Sequence, residues 1–243
     1  MLTEGYRSGH NGAVLKTVRA VMSTGVRIPY PPPSKKPLLS TIGKRGFFVE
    51  GRSRSWYNHY NRLGYREEHM KKATREHLAG IARELARVPF HGEIDGTASN
   101  LAPIVQLFPT WNLKEAEVLW CAAFVYYCCT EAGFVIPYRP GKCKTCHLAA
   151  CLGWEEFAAG DQRIEYYKGA DGFIPEAGDI VIYDRVFENK EHDHMGIVLE
   201  KRERTILAAE GNVNNMSGII ERSIDEHIRS FIRIPDGYRY TDE

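Results

Sequence analysis

One of the six cysteines in this 243-residue chain, Cys121, is placed to act as a nucleophile. It heads the apolar run WCAAFVYYCCTEAGF, which predicts a helix that starts at the thiol and ends on a glycine cap at Gly133. A helix N-terminus and a neighbouring imidazolium can lower a thiol pKa from about 8.5 to roughly 3.5–7.5, which makes the thiolate available. An imidazole follows at His194, in the strand-like DHMGIVLE, and a carboxylate and an amide at Glu210 and Asn212, in AAEGNVNN. Thiol, imidazole and a third polar group that orients the ring are the parts of nucleophilic acyl chemistry. Side chains two apart on a strand share a face, so either Glu210 or Asn212 could hold the same imidazole. The bland alternatives are a buried, inert thiol at 121 and simple turn chemistry at Asn212.

Two other sets could hold a metal. His192 and His194 form an H-x-H pair on one face of the same expected strand, but two ligands fall short of the three that a catalytic zinc takes from protein. GKCKTCHLAAC supplies Cys143, Cys146, His147 and Cys151, yet structural zinc usually draws on two separated ligand pairs and this cluster is local. The expectation is reduced, loosely packed thiols, no cofactor, and an insert dispensable for the chemistry at Cys121.

The elements that must position these groups are legible by period and punctuation. Met70, Leu78, Ile81, Leu85 and Val88 recur at helical spacing, with Thr74 on the same face, and predict a helix over Glu67–Val88 that Pro89 stops. A short helix is expected over Leu101–Leu107. Along the Cys121 helix, Phe124, Val125, Cys128 and Ala132 form the expected inward face. Tyr138–Gly172 reads as irregular. From there the period becomes two, with strands expected at Ile180–Tyr183, His194–Leu199, Thr205–Glu210, Gly218–Arg222 and Ile228–Ile234. Helices followed by strands predict an α+β domain whose N-terminal helices pack on an antiparallel sheet.

Upstream, residues 1–66 read as an extension, followed by a domain over residues 67–243. Five prolines crowd into nine residues from Pro29 to Pro37, which excludes helix and central strand. The segment Gly43–Arg75 holds nine Lys/Arg against three Glu, interleaved with aromatics; Trp56, Tyr60 and Leu63 recur as a helix seam would. The formal net charge of the whole chain is +1, so no nucleic-acid partner is expected. No apolar run reaches the roughly 18 residues of a membrane span, and nothing at the start reads as a signal peptide. The expectation is a cytoplasmic protein with reduced cysteines, released or delivered to a wall by another machine if its substrate lies there.

IPEAGDIVIYDR adds Pro175, Gly178 and Asp179 as a turn that launches a sheet. The ordered set now resembles CHAP domains and related NlpC-type cell-wall peptidases: Cys at a helix start, a P-x-x-G-D turn opening the first strand, H-x-G-I-V as the second, E-x-N ending the third. The resemblance covers roughly residues 70–236. It implies a papain-like fold, Cys121 as nucleophile, His194 as base, Glu210 orienting the imidazole with Asn212 assisting or replacing it, and peptidoglycan or another peptide as substrate. Two positions depart from the family pattern. Trp120 stands where Gln often helps to bind the oxyanion, and Asp193 where Gly often precedes the histidine. An intracellular peptidase or amidase with a non-wall substrate, or an idle fold used for binding, are the alternative readings.

Overall fold

The computed structural model describes residues 73–112 and 119–242. The extension over 1–66, its proline-rich and basic-aromatic segments, and the expected helix start at Glu67 lie outside those residues.

Helix α1 spans Arg75–Arg87, and Thr74 is not on its face but is its cap, accepting the His77 N–H at 3.1 Å. A capping hydroxyl of this kind stabilises a helix by about 1 kcal/mol. The buried stripe is Leu78, Ala79, Ala82 and Ala86, whereas Val88 lies beyond the helix and is exposed. Small residues on this stripe bring α1 close to its neighbours. Helix α2 is a single turn at Ala102–Val105, shorter than expected.

Helix α3 runs over Cys121–Glu131 and ends as its glycine implies: Gly133 has φ +91°, its N–H reaches the Thr130 carbonyl, and the Phe134 N–H reaches that of Cys129. The expected single inward face is too narrow. Cys121–Tyr126, Cys128 and Cys129 are all buried, so α3 is wrapped on nearly every side.

The stretch expected to be irregular is not. It contains helix α4, Cys151–Gly160, and strand β1, Glu165–Lys168. Trp154 anchors α4: it is fully buried and its indole N–H donates to the Leu148 carbonyl at 2.8 Å. Burying side chains of this size contributes about 1.5–3 kcal/mol each.

The remaining strands are β2 (Ile180–Tyr183), β3 (His194–Lys201), β4 (Thr205–Val213), β5 (Met216–Ser223) and β6 (Ile228–Arg233). They join β1 in one antiparallel sheet of order β1-β6-β2-β3-β4-β5. The domain is thus α+β, with the major core between the helices and one sheet face and a smaller cluster around Val181, Tyr183, Val198, Ile206, Ile228 and Phe231 on the other.

The Pro175–Asp179 turn is a structural clamp. The buried Asp179 carboxylate accepts from Arg233 at 2.7 and 2.9 Å and from Arg75 at 3.4 Å, while the Gly178 N–H bonds to the Val198 carbonyl and the Val198 N–H to that of Asp179. The start of β2 is so fixed to β3, β6 and α1 at once. Among the described residues no helix is long and apolar enough to cross a membrane.

Candidate active site

Helix α3 begins without a side-chain cap, because Trp120 occupies the capping position. Its first-turn N–H groups are left without helical carbonyls, a local positive pole. Cys121 is the first residue of that turn, and the Ala122 N–H helps to lower its thiol. The helix can sit this close to β4 because residue 211 is glycine. A Cβ there would lie 2.5 Å from the Phe124 Cβ and 2.9 Å from the Trp120 ring. The Trp120 indole N–H donates to the Asn215 side-chain oxygen at 3.3 Å. Trp120, which departs from the family pattern, is therefore committed to packing.

His194 opens β3, and its Nε2 lies 3.0 Å from Glu210 Oε2. The register explains the meeting. Glu210 pairs with Gly196, two residues along β3 from His194 on the same face. A Cβ at Gly196 would stand 2.7 Å from Glu210 Cγ, so only glycine leaves the carboxylate its path to the ring. With Nε2 engaged, Nδ1 is left for the thiol, and Cys121 and His194 each favour the charged form of the other.

Asn212 is not a second claimant on that face. The β4–β5 register shifts between Glu210 and Val213, and Asn212 adopts φ +62°. The bulge breaks the two-residue alternation that would have aligned it with Glu210.

His192 is also placed differently from expectation. It lies in a turn at φ +52°, off β3. Its ring pairs with Glu155 of α4, which also takes the Tyr166 hydroxyl and Arg229 Nε, the latter at 2.7 Å. Its N–H donates to Asp184 at 2.8 Å, and Asp184 in turn pairs with Arg229 at 3.2 Å. His192 thus fastens the 184–193 loop to α4 and β6. Asp193, the other departure from the pattern, folds the same loop by accepting the N–H groups of Phe187 and Glu188 at 2.5 and 3.1 Å. That brings the half-exposed Phe187 ring edge-on to His194, with centroids 4.8 Å apart, while Tyr183 stacks against the imidazole at 6.1 Å.

Two residues join the site from outside the expected catalytic set. Arg222 of β5 grips Glu210 with both arms of its guanidinium, at 3.0 Å to Oε1 and 2.7 Å to Oε2, and lies over the Phe187 ring at 5.2 Å. Alternation along β5 puts Arg222 on the face of Gly218, the partner of Glu210, but this points to the site only once the β4–β5 register is known. Cys151, the first residue of α4, has its sulfur 3.9 Å from that of Cys121. The insert is therefore not remote from the chemistry.

The four insert residues do not converge. Cys143 is buried and donates to the Gly153 carbonyl at 3.3 Å, and the His147 ring packs among Phe108, Trp111 and Tyr138. Among the described residues no group of three or more His, Cys, Asp or Glu is gathered as a metal site.

Electrostatics single out one thiol. Burial pushes the thiols of Cys128, Cys129 and Cys146 up, and that of Cys143 up to about 12. Cys121 moves the other way, well below the usual thiol range. The Cys151 S–H is the largest cause, and the His194 imidazolium and the Ala122 N–H add to it against the cost of burial. Cys151 is correspondingly held protonated, by its bond to Cys121 and by burial. Burial disfavours a charged His194, but the Glu210 carboxylate and the bond to Cys121 outweigh it and raise the imidazole to about 9. For Glu210 the cost of burial is overcome by His194 and Arg222, which hold the carboxyl at about 2.

These shifts favour the ionised forms of Cys121, His194, Glu210 and Arg222, two charges of each sign packed out of water. The expected consequence is that Cys121 alkylates with iodoacetamide well below pH 8, ahead of the other five thiols. A rate that rises only above pH 8, as for an ordinary thiol, contradicts this arrangement.

No curated protein gives a significant match to the chain. The family model of the CHAP domain matches residues 113–212, the stretch that contains Cys121, Cys151, His194 and Glu210.

Proposed function

We propose that the protein is a cysteine-dependent amide hydrolase. The observation that carries this reading is the buried array of Cys121, His194 and Glu210, in which one thiol of six is lowered beside an imidazole that is raised and held by a carboxylate. CHAP domains are hydrolytic amidases and peptidases, often of peptidoglycan, and the match over residues 113–212 supports the same substrate class here.

In this reading the Cys121 thiolate attacks the amide carbonyl carbon. The oxyanion that forms is met by N–H groups at the uncapped start of α3, whose donors and dipole are already oriented. His194 gives its Nδ1 proton to the departing amine, which leaves an acyl-enzyme on Cys121 and a neutral imidazole. That imidazole takes a proton from water, the hydroxide attacks the thioester, and Cys121 leaves again as thiolate. Through both halves Glu210 holds the ring and stabilises its charged form, while Arg222 keeps the buried Glu210 ionised. A papain-like arrangement is the reading of the fold that suits this order, nucleophile at a helix start and imidazole on a strand of the facing sheet.

The test is digestion of purified peptidoglycan with mass analysis of the products. A new free carboxyl on the glycan lactyl group with a free peptide amine means an amidase; new ends within the stem or cross-bridge mean an endopeptidase. If no new ends form although Cys121 alkylates rapidly at neutral pH, the substrate is an amide outside the wall. If Cys121 also alkylates slowly, the site is idle and the hydrolase reading fails.

A further inference from the structure

Two helices of this domain begin with cysteine, and the two sulfurs face each other. Cys121 starts α3 and Cys151 starts α4, both starts lack a side-chain cap, both residues are buried, and the sulfurs stand 3.9 Å apart. Hydrolysis uses only the first. A serine would give Cys121 the same hydrogen bond, so the catalytic cycle does not account for a thiol at 151. The other thiols have other neighbours: Cys128 and Cys129 sit further along α3, and Cys143 is bonded to the Gly153 carbonyl.

We propose that Cys151 is a resolving thiol, which closes a reversible disulfide with Cys121 when the site meets a peroxide. The Cys121 thiolate attacks a peroxide oxygen, the O–O bond breaks, and hydroxide leaves and takes the His194 proton as water. Cys121 is now a sulfenic acid. The Cys151 sulfur attacks the Cys121 sulfur, the S–S bond forms, and the sulfenic oxygen leaves as water with the Cys151 proton. The two sulfurs together lose two electrons and the peroxide becomes two waters. To form the bond the sulfurs must close from 3.9 Å to about 2.05 Å.

The consequence is protection. A lone sulfenic acid goes on to sulfinic acid, which is irreversible for most proteins, whereas a disulfide is restored by thiol exchange. Under oxidation the nucleophile is masked and recoverable. The proposal rests on Cys121 being a thiolate, and its readouts are chosen to be independent of any substrate.

The full chain is treated with hydrogen peroxide, remaining thiols are blocked with iodoacetamide, and peptides are mapped by mass spectrometry before and after dithiothreitol. The expected result is joint loss of alkylation at Cys121 and Cys151, a linked Cys121–Cys151 peptide, and return of both thiols on reduction. In Cys151→Ser, Cys121 should pass to sulfinic acid and not return. Cys143→Ser should leave the linked peptide in place. Absence of that peptide from the oxidised wild type overturns the proposal, whatever Cys151→Ser does to folding. So does a yield of Cys121 sulfinic acid in the wild type equal to that in Cys151→Ser. Rapid alkylation of the untreated protein without a linked peptide sinks the resolving role alone, while slow alkylation sinks the hydrolase reading as well.

Discussion

Cys121→Ala should lose hydrolysis by about 10⁴- to 10⁶-fold, the scale on which removal of one member disables a nucleophile–base array. No other group can substitute. Cys151 is the nearest sulfur, but it is held as a thiol, and Cys128 and Cys129 are buried along α3 with their thiols pushed up. Folding should survive, because the change removes only a sulfur at a helix start whose neighbours Ala122, Ala123 and Phe124 keep the packing. The measurement is a progress curve on the substrate found by fragment analysis, beside a thermal melt of the same preparation. Activity near wild type with an unchanged melt would remove Cys121 from the mechanism.

Glu210→Gln should be the next most damaging change, and damaging in two separable ways. Turnover should fall by about 10²- to 10⁴-fold, since an amide holds an imidazolium poorly; a comparable loss follows when the orienting carboxylate of a serine triad becomes an amide. Stability should fall as well, because Arg222 loses the carboxylate that it grips and is left as a largely buried charge, a cost of about 3–5 kcal/mol where burial is complete and less here.

The pH dependence distinguishes the catalytic effect from simple loosening. In the wild type activity should fall on the alkaline side near pH 9, where His194 loses its proton; without the carboxylate that limb should move to lower pH. Stability follows by linkage. Glu210 is held at about 2, below its unfolded value near 4.3, so its contribution is complete above that value and lost as pH falls toward 2. His194 is raised from near 6.5 to about 9, so its contribution is complete below 6.5 and lost as pH rises through 9. The pair contributes fully between about pH 4.5 and 6.5, and Glu210→Gln should flatten the wild-type maximum in that window. Asn212→Ala should leave both profiles in place. If Asn212→Ala instead costs more turnover than Glu210→Gln, the orienting group is the amide.

The parts of this protein that were legible in the sequence are those set by local rules. The strands of the second half follow from period-two alternation between turn residues, and β2 falls on the four residues expected. The α3 helix and its glycine cap follow from an apolar run closed by Gly133. Cys121, His194 and Glu210 could be chosen because each has the right chemistry at the start or end of such an element. Helix α4 escaped because CLGWEEFAAG is short and its outer side carries Leu152 and Ala159, so the buried side of Cys151, Gly153, Trp154, Phe157 and Ala158 does not stand out as a stripe.

The choices within the site were decided by the tertiary structure. Whether Glu210 or Asn212 meets the imidazole turns on a bulge in β4, which alternation does not announce. Whether His192 or His194 faces the thiol turns on where β3 begins, a matter of pairing with Tyr183 of β2. Arg222 and Cys151 are brought in from another strand and another helix by sheet register and helix docking. Period and composition describe how one element faces its surroundings. They carry no term for which element that surrounding will be, and the side chains gathered around Cys121 come from α4, β3, β4 and β5.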